Sequence, residues 1–86
     1  MDWYVYIAEA KSGRYYTGIS PRPQKRLAKH NTGKGSRFAM QYGPLKLVFV
    51  SKKFRSKEEA RKQEVKVKSW SREKKQKLIN GEWDLL

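Results

Sequence analysis

The sequence predicts an α+β fold: a small three-stranded antiparallel sheet flanked by helices, in the order β-β-α-β-α-α. Three observations predict it. Two aromatic-rich runs stand on either side of Ser12-Gly13 and read as a hairpin. A third apolar run, LKLVFVSKKF, begins after Gly43-Pro44. Ser56-Lys57-Glu58-Glu59 has the form of a capping box and opens a helix behind that third run.

In chain order, Trp3 to Glu9 reads as the first strand, because it is apolar and aromatic nearly throughout. Tyr15 to Ser20 reads as its hairpin partner. Ser20-Pro21 resembles an N-cap followed by proline at the first helical position, which starts a helix running to about His30. Asn31-Thr32-Gly33 stops that helix, with Gly33 free to take positive φ. Gly33 to Ser36 reads as a loop, and Leu45 to Phe54 as the third strand. The capping-box helix runs to about Ser69. Ser71 caps a last helix that ends before Asn80-Gly81, and Trp83, Leu85 and Leu86 are expected to fold back as an apolar tail. With 86 residues, no repeat and no long linker, the expectation is one domain over residues 1–86.

Composition narrows the function. Twenty-one Lys and Arg oppose eight Asp and Glu, a net charge of +13. From Ala10 to Lys57 there are thirteen basic residues and no acidic one. Such a charge disfavours the compact state by self-repulsion, and a polyanion partner is the usual reason for it. Nucleic acid, above all DNA, is the expected partner. A membrane is not, because no segment approaches the ~20 apolar residues of a span. There is no cysteine, so disulfides and thiolate metal sites are excluded. No export signal is apparent, and the cytoplasm is the expected compartment.

Several polar features are candidates for chemistry. Tyr4 and Tyr6 share one strand face, and an even hairpin register puts Tyr16 on that face near Tyr6. Cross-strand aromatic packing is the plainer account of these phenols. Arg22, Arg26 and His30 are spaced i, i+4, i+8 on the first helix and form a cationic stripe, which could equally be a solvated face. Glu64 lies four residues after Ala60 and three before Val67, on the helix side that should meet the sheet. A carboxylate there needs a partner, either an arginine such as Arg26 or a hard divalent cation. His30 to Gly35 (HNTGKG) is not a nucleotide-binding loop, because a helix precedes it and a glycine follows the lysine, so no nucleotide cofactor is expected. Contact with a nucleic-acid backbone is expected from Arg22, Lys29, Asn31, Gly33, Lys34 and Arg37.

Together these residues resemble the GIY-YIG nuclease module, over nearly the whole chain. Tyr4-Val5-Tyr6 stands where that family has Gly-Ile-Tyr, and Tyr16-Thr17-Gly18 where it has Tyr-Ile-Gly. Arg26 follows Tyr16 by ten residues, as the family's helix arginine does, and Glu64 falls where the family keeps its metal-binding glutamate. The likeness is to the small stand-alone bacterial members, which carry a stretch like His30 to Gly35. Tyr4 and Thr17 depart from the motif, His30 stands where many members have tyrosine, and Ile19 stands where larger members often have lysine. The resemblance implies a metal-dependent endonuclease hydrolysing phosphodiester bonds in DNA, in repair or processing of irregular DNA. It implies one Mg²⁺ or Mn²⁺ held by Glu64, Tyr6 as proton acceptor from water, and Tyr16 positioning water or phosphate. Arg26 would stabilise the phosphate charge and His30 relay a proton or touch a phosphate oxygen. The alternative is a non-catalytic nucleic-acid-binding module that retains the fold.

Overall fold

At the hairpin tip Gly13 takes φ 91°, a conformation open to glycine and strained for other residues. The Ala10 N–H donates to the Arg14 carbonyl at 2.9 Å and the Gly13 N–H to the Ala10 carbonyl at 2.8 Å, which closes the turn. The structure, a computed structural model, describes residues 1–32 and 44–82. Among these residues the elements are β1 (Tyr4–Ala10), β2 (Tyr15–Ser20), α1 (Pro23–Asn31), β3 (Leu45–Val50), α2 (Lys57–Lys68) and α3 (Arg72–Ile79). The strands form one antiparallel sheet in the order β2-β1-β3, and the predicted class and element order hold.

The hairpin register is even: Tyr6 faces Gly18 and Ala8 faces Tyr16. One face of the sheet therefore carries Tyr6, Ala8, Tyr16 and Gly18. It packs on Leu27 of α1, with Ala10 and Leu45 completing that core. The other face carries Ile7 and Tyr15 and packs on Val67 of α2 and Leu78 of α3. Ile7 and Val67 are fully buried and Leu78 nearly so.

β3 departs from the expected Leu45–Phe54 run in two ways. First, the register slips by one residue against Ile7 and Ala8, leaving Val48 as the extra residue of a bulge. Strict alternation would separate Val48 from Phe49, but both join the α2–α3 core while Leu47 and Val50 join the α1 core. Second, the ladder ends at Val50, because the Ser51 hydroxyl accepts from the Val5 N–H at 2.9 Å where a regular strand would offer backbone. Trp3 and Phe54 then form an isolated bridge beyond it.

The start of α1 is also corrected. Ser20 still belongs to β2, and its hydroxyl accepts from the Arg22 N–H at 3.0 Å. The helix begins at Pro23, with Arg22 as N-cap at φ −143° and ψ 78°. The reason is the second proline: a residue before proline is pushed out of the helical region, so Arg22 cannot be helical and Pro21 cannot lead the helix. The caps at Ser56 and Ser71 are as predicted, each hydroxyl accepting a backbone N–H, from Glu59 and Lys74 respectively, at 3.2 Å. The expected loop at Gly33 to Ser36 and the tail at Trp83, Leu85 and Leu86 lie outside the described residues.

Candidate active site

Tyr6 is the residue around which the site is built. It is only 9% exposed, and its ring crosses from β1 over β2 at Gly18. A Cβ placed on Gly18 would lie 2.6 Å from the tyrosine oxygen and 2.8 Å from Cζ. The glycine thus leaves free the space over the edge strand that the phenol occupies.

There it meets a cleft of about 420 Å³. Tyr16 and Gly18 line it from the α1 face of β2, and Thr17 and Ile19 from the α2 face, so the cleft passes around the sheet edge. α1 contributes Arg26 and His30, spaced i, i+4 on one side of the helix, while Leu27 turns into the core. α2 contributes Lys57, Arg61 and Glu64. The five residues expected to carry chemistry, Tyr6, Tyr16, Arg26, His30 and Glu64, therefore share one cleft although they come from four elements.

Glu64 sits where its spacing placed it: Ala60, Glu64 and Val67 are the buried residues of α2. Its ion partner is Lys68, at 3.5 Å, and not Arg26. The two residues are one turn apart on the same helix, whereas Arg26 belongs to the helix on the opposite face of the sheet. An i,i+4 pair with an exposed lysine is worth only about 0.3–0.5 kcal/mol, so it does not commit the carboxylate. Among the described residues no three of His, Cys, Asp and Glu converge as a metal cage. A single carboxylate on an open cleft does fit a hard cation such as Mg²⁺, which takes one or two carboxylates and fills its shell with water and phosphate oxygens. Two further atoms point the same way. Thr17 Oγ1 and His30 Nδ1 are buried with no hydrogen-bond partner among the described residues. Buried polar atoms are normally bonded, so these mark places that water or substrate completes.

The expected nucleic-acid contacts divide. Arg22 leaves the stripe, because as N-cap it is displaced from the helical repeat. It lines a separate depression with Tyr4, Pro21, Pro23, Gln24, Lys25 and Val50. Lys29 is exposed on α1 but does not line the cleft. Asn31 is occupied structurally: its amide donates to the Leu45 carbonyl at 2.9 Å and accepts from the Leu45 N–H at 2.8 Å, tying the end of α1 to the start of β3. Gly33, Lys34 and Arg37 lie outside the described residues. Sequence reasoning missed Trp3, Lys57 and Arg61 as cleft residues. The signal was present, since Lys57, Arg61 and Glu64 are spaced i, i+4, i+7 on one helical side.

The family model described as the GIY-YIG catalytic domain matches residues 2–78. The UPF0213 protein BH0048 of Halalkalibacterium halodurans is 44% identical over 80 residues, covering 93% of this chain and 84% of its own. The UPF0213 protein SSP2268 of Staphylococcus saprophyticus is 42% identical, covering 90% of this chain and 93% of its own. A UPF0213 protein of Streptococcus pneumoniae is 36% identical, covering 94% and 81%. Among solved structures, the solution NMR structure of the UPF0213 protein BH0048 from Bacillus halodurans superposes with a TM-score of 0.57. That comparison covers 93% of this chain and 84% of the other.

Proposed function

The chain belongs to the GIY-YIG family, a nuclease family, and from that premise we propose that it is a divalent-metal-dependent endonuclease hydrolysing phosphodiester bonds in DNA. One observation carries the reading: a single cleft gathers Tyr6, Tyr16, Arg26, His30 and Glu64. The substrate backbone lies around the β2 edge, with the scissile phosphate between α1 and α2. Arg26 pairs with the phosphate oxygens and offsets the charge that grows as water adds to phosphorus. Tyr6 accepts the proton of that water, and Tyr16 holds the water or the phosphate in line. His30 passes a proton or hydrogen-bonds a phosphate oxygen. Glu64 would hold Mg²⁺ or Mn²⁺, which when bound supplies the charge that polarises the phosphate and stabilises the leaving oxygen. The P–O bond to the leaving oxygen breaks, giving one phosphate end and one hydroxyl end.

The test is cleavage by the pure protein of plasmid, nicked and branched DNA with Mg²⁺ or Mn²⁺, beside Glu64→Gln. The substitution keeps shape and removes the ligand charge. Cleavage is expected to vanish while the melting temperature moves little, since only the weak Lys68 pair is lost. Ile19, which leaves β2 without a cation in the cleft, favours the second reading, a DNA-binding module that does not cut. That reading takes over if wild type cuts none of these substrates, nor RNA.

A further inference from the structure

We propose that Trp3, Lys57 and Arg61 form a subsite for an unpaired nucleotide beside the scissile phosphate, so that the cleft selects DNA carrying a single-stranded segment next to duplex. The inference rests on the nuclease reading and adds a substrate class to it.

Trp3 is an unusual residue to leave on a cleft wall. Its backbone is fixed by two hydrogen bonds to Phe54, the Trp3 N–H donating at 2.8 Å and the Phe54 N–H at 2.7 Å. Its indole is half-buried and lines the same cleft as Tyr6 and Glu64. The Lys57 ammonium lies 5.5 Å from the ring centroid. Lys57 and Arg61 are both exposed, one turn apart, with Glu64 next on that side of α2. They line a cleft to which β2 contributes Tyr16, Thr17, Gly18 and Ile19 but no cation. Phosphate charge at this end is therefore met from α2, as Arg26 meets it from α1.

A fixed aromatic ring flanked by cations is a platform for a nucleobase and its phosphate. A base inside a duplex has both faces in the stack and cannot use the ring, whereas an unpaired nucleotide can. The lysine over the indole does not block this. A cation–π contact at an exposed site is weaker than base stacking on an aromatic ring, so the base displaces the ammonium, which turns to the phosphate.

The experiment measures DNA affinity by fluorescence anisotropy with EDTA present, which separates binding from cutting. A blunt duplex is compared with the same duplex bearing a single-stranded flap. Wild type is expected to bind the flap form on the order of 10-fold more tightly. Trp3→Leu keeps apolar packing but has no π face, and should lose the preference while keeping blunt-duplex affinity. Trp3→Phe should retain most of it. A 2-aminopurine at the first unpaired position should be quenched on binding wild type, a readout that decides the matter even if Trp3→Leu fails to fold. Equal affinity for the two DNAs in wild type overturns the proposal. So does a preference that survives in Trp3→Leu, or an unquenched aminopurine. Cleavage with Mg²⁺ is scored separately. Flap preference without cutting of any substrate sinks the nuclease reading and leaves the subsite standing; equal binding and equal cutting of both forms does the reverse.

Discussion

Gly18 and Tyr6 act as one unit, because the tyrosine occupies the space a side chain at position 18 would need. Gly18→Ala must push the ring aside, and the ring is buried, so it has little room to give. Overpacking of this kind typically costs about 1–3 kcal/mol. The expected outcome is a lowered melting temperature together with a cleavage rate reduced as far as that of Tyr6→Phe. Tyr6→Phe removes only the hydroxyl, so its DNA affinity and melting temperature should stay near wild type. Its cleavage rate, followed by plasmid nicking, should fall about 10²–10⁴-fold, the usual worth of a general base. A Tyr6→Phe protein that cuts like wild type removes Tyr6 from the chemistry. Much of the site was legible at this scale. Period-two alternation and a short hairpin put Tyr6 and Tyr16 on one face, and helical spacing put Glu64 between Ala60 and Val67. The contact between Tyr6 and Gly18 was not legible, since which residues face each other depends on the register the turn selects.

Among the elements, what could not be read from sequence follows from interactions between distant segments. The β3 bulge sends Val48 and Phe49 to the same core, and a one-residue slip of this sort leaves no mark in the apolar run LVFV. The start of α1 is legible in the sequence, because Pro23 already disfavours a helical Arg22. Asn31 stands in a basic, glycine-rich stretch that predicts contact with a nucleic-acid backbone, yet both its amide groups serve Leu45. It fixes the end of α1, and with it His30, against the first residue of β3. Asn31→Ala leaves the Leu45 backbone groups without these partners, a loss of about 1–3 kcal/mol if they stay unpaired. Denaturant unfolding should show that loss. DNA affinity at fixed salt should change much less, because no positive charge is removed; a large fall in affinity in a fully folded variant would return Asn31 to the binding surface.

On the scale of the whole molecule, the proposed function gives the charge of +13 and the cleft the same partner, DNA. Each phosphate neutralised adds roughly 0.9 to the slope of log affinity against log salt, so binding should weaken steeply between low and moderate salt. A flat titration would detach the charge from DNA binding. The order in which the cleft residues occur along the chain has a further consequence. Tyr6, Tyr16, Arg26 and His30 all lie in the first 30 residues, whereas Glu64 comes on α2, and Leu78, which helps close the second core, comes later still. On the proposed function, the residues that meet the phosphate are therefore synthesised before the carboxylate proposed to hold the metal. On the same reading, a chain that stops ahead of Glu64 lacks both that carboxylate and the Val67 and Leu78 of the second core, so it is expected neither to fold fully nor to cut.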